Sequence, residues 1–190
     1  SAASDVYKRQ HLELCRDIAQ KFNSDFEVEN FLQVPEPLIQ KNFSRIMSLK
    51  DGSRKMSKSE LSDLSRINLT DNKDMIINKI KKAKTDPLPM PTTLRDLEER
   101  PEAKNLLGIY SSLTNSSLEK SVEMFASKNF SEFKDKLSEV LVDKIQPISE
   151  EIKKLLNDKL YLDNVLLEGV ERANIIASKK IKKIKEIVGF

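Results

Sequence analysis

Five consecutive residues, Lys55-Met56-Ser57-Lys58-Ser59, place two ammonium groups and two hydroxyls side by side. They come after the polar run Lys50-Asp51-Gly52-Ser53-Arg54, where Gly52 and the small polar residues favour a mobile loop over a regular element. A loop of this kind suits a polyphosphate whose charge moves during a reaction. Lysine puts point charge on the oxygens, and hydroxyls and loop amides add donors. Phosphoryl and nucleotidyl transfer ask for little more than positioning and charge neutralisation. The same residues also make an ordinary solvated Lys/Ser loop, so the pentamer alone leaves both readings open.

Other chemistry-bearing residues are few. His11 is the only histidine, so no cluster of histidines can hold a metal, and a hydrogen-bonded structural role at a helix start is expected. Cys15 is the only cysteine, which excludes an internal disulfide and a multi-cysteine zinc site. It falls on the apolar side of a helical pattern and is expected to be buried and inert. The net charge of +3 is too small for a global polycation, so any RNA affinity must come from local clustering. Lys179, Lys180, Lys182, Lys183 and Lys185 form one such cluster. They could neutralise RNA phosphates, and they equally suit a solvated helix C-terminus favoured by the dipole. No aromatic residue interleaves them, which argues against a base-stacking platform.

The elements that must position these residues are mostly helical. The 190 residues are 38% hydrophobic and 33% charged, with four glycines and no tryptophan, which fits a soluble globular chain leaning to helix. Residues 1–9 show no pattern leading into the first helix and are set aside as a non-native or truncation segment. Leu12, Cys15, Ile18, Ala19 and Phe22 recur at helical spacing and predict an amphipathic helix over 10–23. Residues 24–43 are expected to be irregular, with Pro35 and Pro37 forbidding a helix. Ile46-Met47-Ser48-Leu49 reads as the buried edge of a sheet leading into the loop, and Glu60–Arg66 as a single turn. Thr70 and Asp71 are expected to cap a helix over about 72–84, with Met75, Ile76, Ile80 and Ala83 inward and the lysines from Lys79 to Lys84 complementing its dipole. The segment Asp86–Pro91 breaks the chain and is read as the neighbourhood of a hinge. From Pro101 onward the chain reads as amphipathic helices: one opening at Pro101, one at a capping box Ser116-Ser117-Leu118-Glu119, one from Ser131 through a kink at Pro147 to Asp158, and one over about Leu162–Ile187 with Val165, Leu166, Val170, Ile176 and Ile181 inward and Gly189 as its stop. Short connections between them predict an α bundle. There is no run of about 18 apolar residues and no secretory signal, so cytoplasm or an organellar matrix is expected, with no membrane partner.

The pentamer is, letter for letter, the second signature of class I aminoacyl-tRNA synthetases. Its surroundings resemble the tryptophanyl-tRNA synthetases of bacterial or organellar type. The residues that carry this are Gln10-His11-Leu12-Glu13-Leu14 with Arg16-Asp17-Ile18-Ala19, Val34-Pro35-Glu36-Pro37-Leu38-Ile39, Arg45-Ile46-Met47-Ser48-Leu49, Asn105-Leu106-Leu107-Gly108-Ile109-Tyr110 and Ile187-Val188-Gly189-Phe190. The resemblance implies a mainly α fold: a remnant of a Rossmann-like α/β catalytic domain over 10–70, followed over 71–190 by a helical domain of the anticodon-binding type. It implies ligation of tryptophan to tRNA(Trp) with ATP, and a homodimer in the full-length family, with no DNA partner. Lys55 and Lys58 would be catalytic, neutralising the departing pyrophosphate with Mg2+. Ser57 and Ser59 would hold phosphate or fix the loop, and Ile46 and Met56 would meet the adenine through their backbones. Lys179, Lys182 and Lys183 are the candidate tRNA contacts. No set of protein ligands for a metal is implied.

The sequence also departs from the family. Its first signature, a His-x-Gly-His type of motif, occurs nowhere in the 190 residues, and a Gly-acidic-Asp-Gln segment is replaced by Asp5-Val6-Tyr7-Lys8. The expectation is therefore a C-terminal portion that is inactive alone. A tyrosyl-tRNA synthetase-like ligase and a non-catalytic helical tRNA-binding module are the alternatives. A helical interaction domain with an accidental Lys/Ser loop is a blander third reading.

Overall fold

The computed structural model describes the backbone of residues 2–37 and 45–190, and the side chains from residue 10 onward within those ranges. Leu38, Ile39 and the remainder of the expected irregular segment to 43 lie outside the described residues. The described residues form six α-helices: α1 Ala2–Asp25, α2 Lys73–Lys81, α3 Pro101–Thr114, α4 Leu118–Phe125, α5 Phe130–Asn157 and α6 Lys159–Val188. No strand occurs among the described residues, so the mainly α expectation holds. The chain divides into two compact units, Gln40–Lys154 and a second made of Ser1–Ile39 with Leu155–Phe190.

The unit Gln40–Lys154 has one core. Leu49 from the segment before the lysine loop packs with Ile76 and Ile80 of α2, Leu106 and Leu107 of α3, and Phe133 and Leu137 of α5. Residues on both sides of position 70 thus share one interior. Tyr110, Phe125 and Phe133 meet edge to face, with ring centroids 4.8 Å apart for Phe125–Phe133 and 5.0 Å for Tyr110–Phe125. Each such pair contributes about 1 kcal/mol beyond its burial. The segment read as a hinge lies inside this unit: Met90 is buried, and Arg100 grips Asp86 and donates to the Pro89 carbonyl at 2.8 Å.

Several helix ends differ from their expected positions, for local reasons. The side chain of Asn72 caps α2 by accepting the Met75 N–H at 2.9 Å, which leaves Asp71 free to be buried against Lys79. Lys79 is consequently an interior residue of α2, and Met75, expected inward, is exposed. Ser117, one residue later than expected, caps α4 by accepting the Lys120 N–H. The turn expected at 60–66 is a 3-10 turn over Asp63–Ser65, and Pro147 lies within α5.

In the other unit, α1 begins at Ala2, so the backbone of residues 2–9 belongs to the same helix as residues 10–25. Cys15 is exposed rather than buried, because Leu12, Leu14 and Ile18 on its face are themselves exposed. The Asn23 side-chain amide donates to the Leu32 carbonyl and accepts its N–H, fixing the turn after α1. The Lys180 ammonium of α6 lies 4.0 Å from the Phe31 ring centroid and donates to the Phe31 carbonyl. α6 starts three residues earlier than expected and has no buried residue; Val165, Leu166, Val170, Ile176 and Ile181, expected inward, are exposed. Gly189 ends it at φ 88°, the left-handed conformation that glycine adopts without strain.

Candidate functional site: the lysine loop and its base

The run into the loop is not a sheet edge but one short antiparallel pairing. The Ser48 N–H donates to the Arg54 carbonyl at 2.7 Å and the Met56 N–H to the Ile46 carbonyl at 3.0 Å. Between these rungs Met47 and Lys55 face one another as an isolated bridge. In such a pairing the backbone groups of Met47 point to the opposite side. There the Asn105 side chain of α3 takes both: its Nδ2 donates to the Met47 carbonyl and its Oδ1 accepts the Met47 N–H, each at 2.8 Å.

The turn between the paired segments is fixed internally. The Asp51 carboxylate accepts the Ser53 hydroxyl at 2.6 Å and the Ser53 N–H at 3.0 Å, and these bonds hold its carboxyl below the ordinary carboxylate range. Gly52 is buried with its backbone against α3: a Cβ there would lie 2.5 Å from the Pro101 carbonyl carbon and 2.6 Å from the Glu102 nitrogen. Gly52 is thus required for close approach. Glu102 pairs with the Lys84 ammonium at 2.8 Å, and this contact foremost outweighs its burial and holds its carboxyl low. The Lys84 N–H in turn donates to the Leu49 carbonyl at 2.7 Å. Residues 49–52 are therefore clasped between the exit of α2 and the start of α3.

Beyond this base the candidate residues form a compact, accessible tip. Lys55 and Met56 are half-buried, and Met56 packs on the core. The Ser57 and Ser59 hydroxyls lie 2.9 Å apart, and the Ser59 N–H donates to the Ser57 hydroxyl at 3.3 Å. Lys58 is exposed, and Arg54 pairs with Glu60 at 3.4 Å. Ile46, a candidate for a backbone contact, is 45% exposed rather than core. The structure therefore brings Ile46, Lys55, Met56, Ser57, Lys58 and Ser59 together on one base. Lys179, Lys182 and Lys183 are exposed on α6 and belong to the other unit. His11 is exposed on α1. Among the described residues no group of His, Cys, Asp or Glu side chains could hold a metal ion, and no helix is long and apolar enough to cross a membrane.

Sequence reasoning gave Asn105, Glu102 and Lys84 no part in holding the loop. A signal for Asn105 was present: a lone amide among Ala103, Leu106, Leu107 and Ile109 on a buried helix must find partners for both its donor and its acceptor. Nothing comparable marked Glu102, a helix-start acid like many others.

A family model described as tRNA synthetases class I (W and Y) matches residues 8–146. A tryptophan–tRNA ligase of Caulobacter vibrioides is 48% identical over 183 residues, covering 96% of this chain and 53% of the relative. One from Rickettsia felis is 50% identical over 183 residues, covering 96% and 54%. The chain thus spans about half the length of the curated relatives it matches. Among solved structures, the tryptophanyl-tRNA synthetase of Mycoplasma pneumoniae superposes with a TM-score of 0.75 at 26% identity, covering 96% of this chain and 56% of that one. That of Campylobacter jejuni, complexed with ADP and tryptophan, gives 0.67 at 24% identity, a likeness of fold alone, covering 95% and 54%. On the match over residues 8–146, this chain belongs to the class I tRNA synthetases of the tryptophan and tyrosine group.

Proposed function

We propose that this chain supplies the phosphate-holding loop and the helical, tRNA-facing part of a tryptophan–tRNA ligase. The observation that carries the reading is the Lys55–Ser59 tip held on a rigid base, in a chain 48% identical to a ligase of that name. The tip's donor set fits a triphosphate: two ammonium groups, two hydroxyls and loop amides around one exposed turn. In this reading the tryptophan carboxylate attacks the ATP α-phosphorus. The bond to the β-phosphate breaks, and pyrophosphate leaves as the tryptophanyl-adenylate forms. The 3′ hydroxyl of the tRNA then takes the tryptophanyl group and AMP departs. Lys55 and Lys58 neutralise the departing pyrophosphate, together with the Mg2+ that accompanies ATP. Ser57 and Ser59 hold phosphate oxygens, and the backbones of Ile46 and Met56 flank the adenine.

Residues 10–70 act here as the C-terminal remnant of the catalytic part and residues 71–190 as the tRNA-binding part, with Lys179, Lys182 and Lys183 as phosphate contacts. The full-length ligase works as a homodimer in the cytoplasm or an organellar matrix. The 190 residues carry no first class I signature and are inactive alone.

Amino-acid-dependent ATP–pyrophosphate exchange tests this, with tryptophan and tyrosine in parallel. The chain is assayed alone and with the remaining half of a related ligase supplied. Exchange with tryptophan in the supplemented reaction is the expected result. Exchange with tyrosine only would replace the reading by a tyrosyl-type ligase. Exchange with neither, alongside retained tRNA binding, would replace it by a non-catalytic module.

A further inference from the structure

α3 meets the base of the lysine loop at two places. Asn105 closes the outward N–H and carbonyl of Met47, each at 2.8 Å, and the Gly52 backbone packs closely on Pro101 and Glu102. Asn105 is 3% exposed, and a buried amide is costly unless both of its ends are bonded, as they are here. Met47 is the bridge partner of Lys55. α3 itself is held by the core through Leu106, Leu107 and Tyr110. A shift of α3 is therefore passed to the Lys55 backbone through directional bonds rather than loose packing. The geometry points to Asn105 as a positioning residue, which registers the lysine loop against the helical core so that its cations meet nucleotide phosphate at a fixed place. This inference rests on the proposed phosphate-holding role of the loop.

The test uses the 190-residue chain and two readouts. Amide hydrogen exchange at Met47 and Met56 is followed by NMR in the native chain and in Asn105→Leu, which keeps the bulk and removes both bonds. Leu113→Ala, partly buried farther along the same helix, controls for general loosening, with each variant measured the same interval below its melting temperature. Asn105→Leu is expected to raise exchange at both amides by about tenfold or more beyond the control. An equal rise in both variants, or no rise in Asn105→Leu, overturns the coupling whatever the loop binds. Titration with magnesium pyrophosphate then reads the positioning role. Asn105→Leu is expected to weaken binding about tenfold, with the Lys58 and Ser59 amide shifts displaced. Faster exchange with unchanged pyrophosphate affinity, while Lys58→Ala weakens it, reduces Asn105 to a structural residue and overturns the proposal. If Lys58→Ala leaves the affinity of the native chain unchanged, or the native chain binds none, the phosphate reading fails while the exchange result still decides the coupling.

Discussion

The Lys79 ammonium lies 2.6 Å from the Asp71 carboxylate, and both residues are almost fully buried, 2% and 1% exposed. Asp63 adds a second carboxylate at 2.7 Å, and the Asn68 N–H donates to Asp71 at 2.9 Å. The pair locks the turn after the lysine loop to α2. Removing one member of a buried ion pair strands the other, at about 3–5 kcal/mol. Lys79→Met should therefore lower the unfolding free energy by about 3 kcal/mol in urea denaturation. Adding Asp71→Asn to that variant should recover part of the loss, since the stranded charge is then gone. Strictly additive losses would show that the two side chains do not depend on one another.

Gly52→Ala drives a methyl group into the Pro101 and Glu102 backbone, at 2.5 and 2.6 Å, where no flexible side chain can yield. The loop base must move away from α3. The expected cost is about 1–3 kcal/mol, read as a lowered melting temperature. A variant that melts with the native chain would mean that the two segments part freely.

Lys58 and Lys55 should separate by where their losses fall. Lys58 is exposed, so Lys58→Ala should change stability by less than about 0.5 kcal/mol. In the supplemented ligase it should slow pyrophosphate exchange by about a hundredfold. Lys55 is half-buried and paired with Met47 in the bridge, so Lys55→Ala should lower both. Full exchange activity in Lys58→Ala would remove the loop from the chemistry.

Acid should act on the struts around the loop. Burial pushes the Asp86 carboxyl up, but the Arg100 guanidinium at 2.6 and 2.9 Å prevails and holds it below its ordinary 3.8. Glu102 is held below its ordinary 4.5, first by the Lys84 ammonium. A carboxylate depressed in the folded state stabilises the fold above its unfolded value, and this stability is lost as pH falls through the folded value. Melting temperatures should therefore hold down to about these ordinary values and drop below them. Asp86→Asn should melt below the native chain at neutral pH, with the gap narrowing as pH falls under 3.8. A gap that stays constant into acid would show that Asp86 contributes packing rather than charge.

Much of this was legible in the sequence, and the misses have physical causes. The loop was readable from Gly52 and its polar neighbours, and the stop of α6 from Gly189, because turn chemistry is local. The caps at Asn72 and Ser117 fell within two residues of their expected places, since several adjacent side chains could each serve. Lys79 departs from expectation because a lysine near a helix C-terminus looks solvated until the carboxylate that buries it is known, and Asp71 equally suits a cap. Cys15 and the α6 stripe were misread for a different reason: periodicity says which face is apolar but not whether anything covers it. At the candidate site the tip was legible and the base was not, since Asn105 reaches Met47 across 58 positions.

That contact has a consequence for solubility. An amide side chain offers the same donor and acceptor as a peptide group, so Asn105 occupies the place where a neighbouring strand would hydrogen-bond to Met47. Unpaired strand edges are templates for joining chain to chain. With the outward groups of Met47 already engaged, this short ladder is closed at its centre by a helix, and the segment leading into the lysine loop is denied as a seed for aggregation.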